Sequence, residues 1–305
     1  MSRIINAHVH MIEIRKLLDG GVNAVPPGGI GVYEHLADSI AMLSPKTLIG
    51  QMDEAEIDTS VLFAVDAPVV YASNEYVKSL IDRYSDRLIG FASVSPHKAN
   101  AVEQLDHAIS DLGLVGVKLH PPLQGFFPDD EAVFPIYEKA VELNVPIVFH
   151  VGTTPFGNRC RLAMADPLRI DDVANAFPRL RIMLTHLGTL WHNEAFMVVE
   201  KHPNVFIDTA AYVYEIPELL TLNLVKRLGK HKFIFGTDYP SPFADEPHRM
   251  KDFVDVIRAL PLSKPTLDGI FQNNFQRLLK GNAEAEEALD PLLLLAKLDA
   301  LNSVG

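Results

Sequence analysis

The stretch Ile4-Ile5-Asn6-Ala7-His8-Val9-His10 decides how the chain folds. It is apolar and β-branched where it begins and carries two histidines where it ends. In an extended strand, residues i and i+2 share a face, so His8 and His10 project side by side. Two neutral imidazoles held that way make half of a metal site. With twelve histidines in 305 residues, one His-x-His pair is weak evidence alone, since an exposed edge strand would show the same spacing. Its weight comes from the strands that follow.

Near-continuous apolar runs recur at 60–65, 88–94, 115–120, 146–151, 181–186, 205–209 and 232–237. Such runs suit parallel strands covered on both faces. Helical patterns lie between them. Ser73 is placed to cap a helix over 75–84, Asp130 one over 131–143, and Asp166-Pro167 one over 168–177. Pro217 opens another that runs to about residue 228, and 261–279 reads as a last helix. Eight β-α alternations without a Gly-x-Gly-x-x-Gly turn predict an α/β fold, a (β/α)8 TIM barrel, rather than a doubly wound sheet. The expected domain spans 1–281, with an inserted loop at about 11–45 that is rich in Gly and Pro and holds a short helix over 34–42. A helical appendix follows at 282–305. Leucines 292 to 295 wrap around it, so it is expected to dock on the barrel's outer helices or to form a subunit interface.

The charge balance, 27 basic against 39 acidic residues for a net −12, argues against nucleic acid or an anionic membrane as partner. An anionic small molecule remains compatible, because a local cluster of arginines and a metal outweighs the global field. Cys160 is the one cysteine, which excludes an intrachain disulfide and thiolate metal clusters. The chain enters its first strand directly, so no signal peptide is expected. The most apolar run, 292–298, contains Lys297 and is too short to span a membrane. A cytoplasmic location is expected, and a homo-oligomer is left open.

In such barrels the active site lies at the C-terminal ends of the strands. There the sequence places His8 and His10 on strand one, Lys118 and His120 on strand four and His150 on strand five. His186 ends strand six and Asp238 strand eight. Ionisable groups at the ends of apolar strands are costly to desolvate alone. Five histidines and an aspartate on one rim would share a partner, a divalent cation.

His8-x-His10, His150, His186 and Asp238, in that order on strands one, five, six and eight, resemble the amidohydrolase superfamily of metal-dependent barrels. Together with Gly116-Val117-Lys118-Leu119-His120-Pro121, His186-Leu187-Gly188 and Gly236-Thr237-Asp238-Tyr239-Pro240, they look closest to the amidohydrolase-2 group. That group includes aminocarboxymuconate semialdehyde decarboxylase and pyrone dicarboxylate lactonase. The resemblance implies that His8, His10, His150 and Asp238 bind one divalent ion, zinc first, with manganese or iron as alternatives. It makes His186 a catalytic histidine beside the metal, acting as base or polarising the substrate, and Asp238 the acceptor of a water proton. Lys118 is either a substrate-pocket lysine or, as in binuclear relatives, a carboxylated bridge between two metals. His120 is either a substrate contact or a hydrogen-bonded structural residue. Arg159 and Arg161, in a loop after strand five, are placed to grip a substrate carboxylate. Trp191 is expected as a pocket wall or as core. Asp66 and Asp208 are candidate acceptors behind the ligand histidines. The histidines at 35, 97, 107, 202, 231 and 248 read as ordinary surface residues.

The expected reaction is metal-activated water attacking an ester, lactone or amide of a small carboxylated or aromatic compound. Two alternatives stand beside it. One is a non-oxidative decarboxylase of an aromatic or muconate-like acid on the same metal site; the other is a barrel that only binds a ligand.

Overall fold

The computed structural model describes residues 3–13, 41–68, 70–154, 156, 160–210, 212–240 and 249–281. Outside them lie most of the expected insertion, including the helix over 34–42 but for its last two residues, the appendix at 282–305, and Arg159. Eight parallel strands carry the fold: β1 (Ile5–His10), β2 (Thr59–Phe63), β3 (Leu88–Phe91), β4 (Val117–Leu119), β5 (Ile147–Phe149), β6 (Ile182–Leu184), β7 (Val205–Asp208) and β8 (Phe233–Ile234). They hydrogen-bond as a sheet of three, β1-β2-β3, and a sheet of five, β4 to β8 in sequence order. Two seams join these sheets. Ala92 bridges Val117 on one side, and Val9 bridges Tyr239 on the other. The ring is therefore closed as a (β/α)8 barrel, and a separate antiparallel pair, Val65–Asp66 with Tyr71–Ala72, stands outside it.

The strands are buried on both faces, which is why they are apolar nearly throughout. Ala7, Val61, Phe63, Phe91, Val148, Met183, Phe206 and Ile234 fill the interior. Val9, Leu62, Val117, Ile147, Phe149, Leu184 and Ile207 face outward, towards the helices. Each fully buried aromatic or aliphatic side chain contributes about 1.5–3 kcal/mol. The helices of the outer layer are α1 (Pro45–Glu54), α2 (Asn74–Arg83), α3 (Ala101–Ser110), α4 (Phe134–Glu142), α5 (Arg169–Ala176), α6 (His192–Lys201), α7 (Leu222–Leu228), α8 (Met250–Ala259) and α9 (Asn274–Lys280). α9 closes the N-terminal end of the barrel. Its Phe275 and Leu278 join the interior cluster, and Arg181 at the foot of β6 donates to the Leu278 and Leu279 carbonyls. The opposite end is left for chemistry.

Local signals hold where a side chain caps a backbone group. Ser73 accepts from the Tyr76 N–H at 3.2 Å, Asp130 from Ala132 at 3.0 Å and Asp166 from Leu168 at 2.9 Å. Three helices differ from expectation. The stretch after Asp130 opens as a 3-10 turn over Glu131–Val133 before α4 starts. The helix from Pro217 is broken, because Thr221 caps a new start by accepting from Leu224. The single helix over 261–279 is three pieces: Lys264–Asp268, a π-turn over Gly269–Asn273, and α9. The π-turn frees the Ile270 carbonyl to accept from Phe235 N at 2.9 Å, and sets the Asn274 amide against the Lys230 and Phe233 carbonyls. The last helix is thereby tied to β8. No helix among the described residues is long and apolar enough to cross a membrane.

Candidate metal centre at the barrel mouth

β1 aims its histidines with a bulge. Asn6 pairs with Ser60 and Val9 with Leu62, so β1 spends one residue more than β2 over that step. Ala7 points into the barrel below the bulge, and the extra residue lets His8 and His10 point inward above it, His10 opposite Phe63. Their ring centroids lie 5.1 Å apart and their Nε2 atoms 3.1 Å apart.

Asp238 arrives from the turn after β8. Buried Asn6 fixes that turn, its amide donating to Thr237 Oγ1 at 2.9 Å while its oxygen accepts from Thr237 N at 3.1 Å. Asp238 N then donates to the His8 carbonyl at 3.0 Å. Gly236 permits this close approach, since a Cβ there would stand 3.0 Å from that of His8. The result sets Asp238 Oδ1 3.1 Å from His8 Nε2 and 3.4 Å from His10 Nε2.

Fully buried Asp208, at the end of β7, ties a second pair together. Its Oδ2 accepts from His8 Nδ1 at 2.7 Å, and its Oδ1 accepts from the backbone N–H groups of His186 at 2.7 Å and Ala210 at 3.1 Å. His186 turns inward through three consecutive left-handed residues, His186, Leu187 and Gly188, with φ of 62°, 48° and 80°. A Cβ on Gly188 would meet that of Ala195 at 2.5 Å, so glycine allows α6 to pack beneath this turn. His186 Nε2 lies 3.1 Å from His150 Nδ1, and His150 Nε2 faces the Thr153 carbonyl at 3.1 Å. His120 stacks on His150 at 3.9 Å and 9°. Lys118 is buried beside them, its Nζ 5.1 Å from the Phe63 ring centre.

Burial sets the protonation states. It pushes His10 down to about 4, against the pull of Asp238. Burial also holds His120, His150 and His186 well below the usual histidine range. His8 goes the other way: burial and Lys118 press its pKa down, but Asp238 and Asp208 outweigh them. Burial alone would raise the Asp238 carboxyl, yet His8 and His10 hold it well below the carboxylate range.

These residues fit a divalent cation. His8, His10 and Asp238 each offer a donor atom, and the three donor atoms lie within 4.8 Å of one another; His8, His186 and Asp208 form a second such group. Asp208 occupies His8 Nδ1 and so leaves its Nε2 lone pair facing His10 and Asp238. His10 Nδ1 and His186 Nδ1 are buried without a hydrogen-bond partner among the described residues, a cost that a bound ion or substrate offsets. Neutral imidazole nitrogens and a carboxylate oxygen are the donors such an ion takes.

The expected residues do not all converge. His150 lines the chamber, but its ring nitrogens face His186 and Thr153 rather than the three-donor group. Arg161 is exposed and lies over Phe127 at 5.6 Å, beside Arg169, which covers the same ring at 4.1 Å. Trp191 is half-buried at the start of α6. Asp66 pairs with Lys98 at 2.6 Å and accepts from Ser95 N at 3.0 Å, so it supports no histidine. His202 is buried against Asp171 at 2.6 Å and is not a surface residue. Asn6 and Phe63 escaped the sequence reading. A polar residue inside an apolar strand was the signal for Asn6, whereas Phe63 depends on the bulge.

The Amidohydro_2 profile, described as amidohydrolase, matches residues 7–281. The chain belongs to this amidohydrolase family. Members bind a divalent metal, in keeping with the donor group above. Among curated proteins, the chain is similar to a 2-keto-4-carboxy-3-hexenedioate hydratase of Sphingobium sp. (strain NBRC 103272 / SYK-6), 27% identical over 255 residues, 70% of this chain and 72% of the relative. It is also similar to a 2-amino-3-carboxymuconate-6-semialdehyde decarboxylase of Dictyostelium discoideum, 23% identical over 246 residues, 66% and 68% of the two chains. Among solved structures, a dihydroxybenzoic acid decarboxylase from Polaromonas sp. JS666, with bound manganese and the inhibitor 2-nitroresorcinol, superposes with a TM-score of 0.69. It is 18% identical and covers 93% of this chain and 99% of its own.

Proposed function

We propose that this amidohydrolase is a divalent-metal-dependent carboxy-lyase acting on a small aromatic or unsaturated acid. The observation that carries this reading is the buried group of His8, His10 and Asp238 at the mouth of a barrel whose similar proteins include decarboxylases. Those three residues would hold the ion, with His150 and His186 beside it. Manganese and zinc both suit these nitrogen and oxygen donors. When bound, the ion supplies positive charge that draws in and polarises an anionic substrate oxygen. Phe63 and the imidazole walls exclude water from the carbon that reacts. The carbon–carboxylate bond breaks, carbon dioxide leaves, and the electron pair remains on the substrate carbon. Asp238 and His186 are assigned to move the proton that takes the carboxylate's place there. Hydrolysis of an ester, lactone or amide, the first expectation from the sequence, is the weaker reading, because the proteins similar to this chain named above are lyases. The hydratase favours a second reading, addition of water to an unsaturated acid.

The test is a substrate panel of hydroxybenzoates, methoxyhydroxybenzoates and unsaturated dicarboxylates, offered to protein loaded with manganese or zinc. Carbon dioxide released in step with acid consumed is expected, abolished by a chelator and by His8→Ala. Loss of double-bond absorbance without carbon dioxide would replace the proposal with hydration. Acid released from esters or lactones alone would restore hydrolysis.

A further inference from the structure

Lys118 lies over the Phe63 ring and has no hydrogen-bond acceptor among the described residues of the chamber it helps to line. It is 1% exposed. Asp208 and Asp238 attract the ammonium from a distance, and it in turn presses on the protonation of His8, His10, His120, His150 and His186. A buried cation with no acceptor is costly. The charge balance points the same way. Two carboxylates, Asp208 and Asp238, stand against Lys118 and a divalent ion, so the loaded chamber is net positive and draws in an anionic substrate. Of the two arginines expected to meet a carboxylate, Arg161 lies over Phe127, and Arg159 lies outside the described residues.

We propose that Lys118 binds a carboxylate of the substrate that is retained through the reaction, so that the substrate is a dicarboxylate. This rests on the carboxy-lyase reading. A carboxylate that departs as carbon dioxide loses its charge on the way to the transition state. An ammonium clamped on it would stabilise the ground state more and slow the step. An ammonium on a second carboxylate, whose charge does not change, positions the substrate without that penalty. Burial lowers the Lys118 pKa to about 8, against the pull of Asp208 and Asp238.

The experiment is isothermal titration of the manganese-loaded protein with benzene-1,2-, 1,3- and 1,4-dicarboxylate and with the monoamide of each. At least one dicarboxylate is expected to bind about 10- to 100-fold more tightly than its monoamide, the range for a hydrogen bond to a charged group. In Lys118→Met that preference disappears, and the melting temperature stays level or rises because an unpaired buried charge has been removed. Lys118→Gln serves as the second variant and behaves alike. The proposal is overturned if the parent protein shows no dicarboxylate preference, or if the preference survives in either variant. A fall in melting temperature in both variants would also overturn it, by assigning Lys118 a structural task. Binding is read without turnover. A failed carboxy-lyase reading therefore appears in the carbon dioxide assay, and a failed anchor appears here.

Discussion

Asp208→Asn separates the two tasks of a single carboxylate. Oδ1 of Asp208 serves the backbone of His186 and Ala210, and Oδ2 serves His8 Nδ1. Asparagine keeps the shape, and its oxygen can retain the two backbone donors. The opposite assignment would leave both N–H groups facing an NH2 in the core, which costs more. The amide NH2 therefore turns to His8. Two donors cannot face each other, so His8 shifts its proton to Nε2, the atom 3.1 Å from both Asp238 Oδ1 and His10 Nε2. That nitrogen then has no lone pair for an ion. Loss of such an orienting acceptor costs about 10- to 100-fold in metal affinity, or roughly 1.4–2.7 kcal/mol. The assay is chelator competition for manganese, with circular dichroism to confirm the fold and nitrogen NMR to report the His8 tautomer. Unchanged affinity with the proton still on Nδ1 would refute the reasoning.

The metal-free protein should lose stability as acid is added. Unfolded His10 takes its proton near 6.5 and folded His10 only near 4, so between those values the unfolded chain holds more protons and stability falls as pH falls. The full effect is about 3 kcal/mol for His10, and urea midpoints from pH 7 to pH 4 should drop less steeply in His10→Asn. Gly236→Ala should cost about 1–3 kcal/mol by crowding the His8 Cβ at 3.0 Å, and should weaken metal binding with it; a melting temperature equal to the parent's would contradict this close approach. Arg161→Ala should leave KM on any accepted acid within about twofold, because its guanidinium sits on Phe127; a tenfold rise would return it to the substrate site.

Much of the barrel was legible from strand composition alone. Strands covered on both faces are apolar throughout, and the eight runs stand out for that reason. The helices were legible where a side chain caps them, as Ser73 does, and misread where backbone carbonyls decide. The π-turn at Gly269–Asn273 serves Phe235 and sets Asn274 against the Phe233 carbonyl of β8, and no local pattern announces it. The site divides the same way. His8, His10, His186 and Asp238 were visible as polar ends on apolar strands. Their aim was not, because it depends on one extra residue in β1 and on left-handed backbone at His186 and Asp238. Arg161 looked well placed because loops after β5 overhang the mouth, but its guanidinium lies over Phe127, a ring distant in sequence. The choice between hydrolysis and decarboxylation was illegible, since both use the same donors and differ in what lies against them.

The most direct measurement is X-ray absorption at the metal edge on protein purified with manganese or zinc in excess, together with the ion count per chain. One ion per chain is predicted, ringed by nitrogen and oxygen donors at about 2.0–2.2 Å for zinc, with the imidazole contribution reduced in His8→Ala and His10→Ala. An ion count of zero in excess metal, or an ion whose donor shell is unchanged in both variants, would contradict the claim that these strand ends were brought together to hold it.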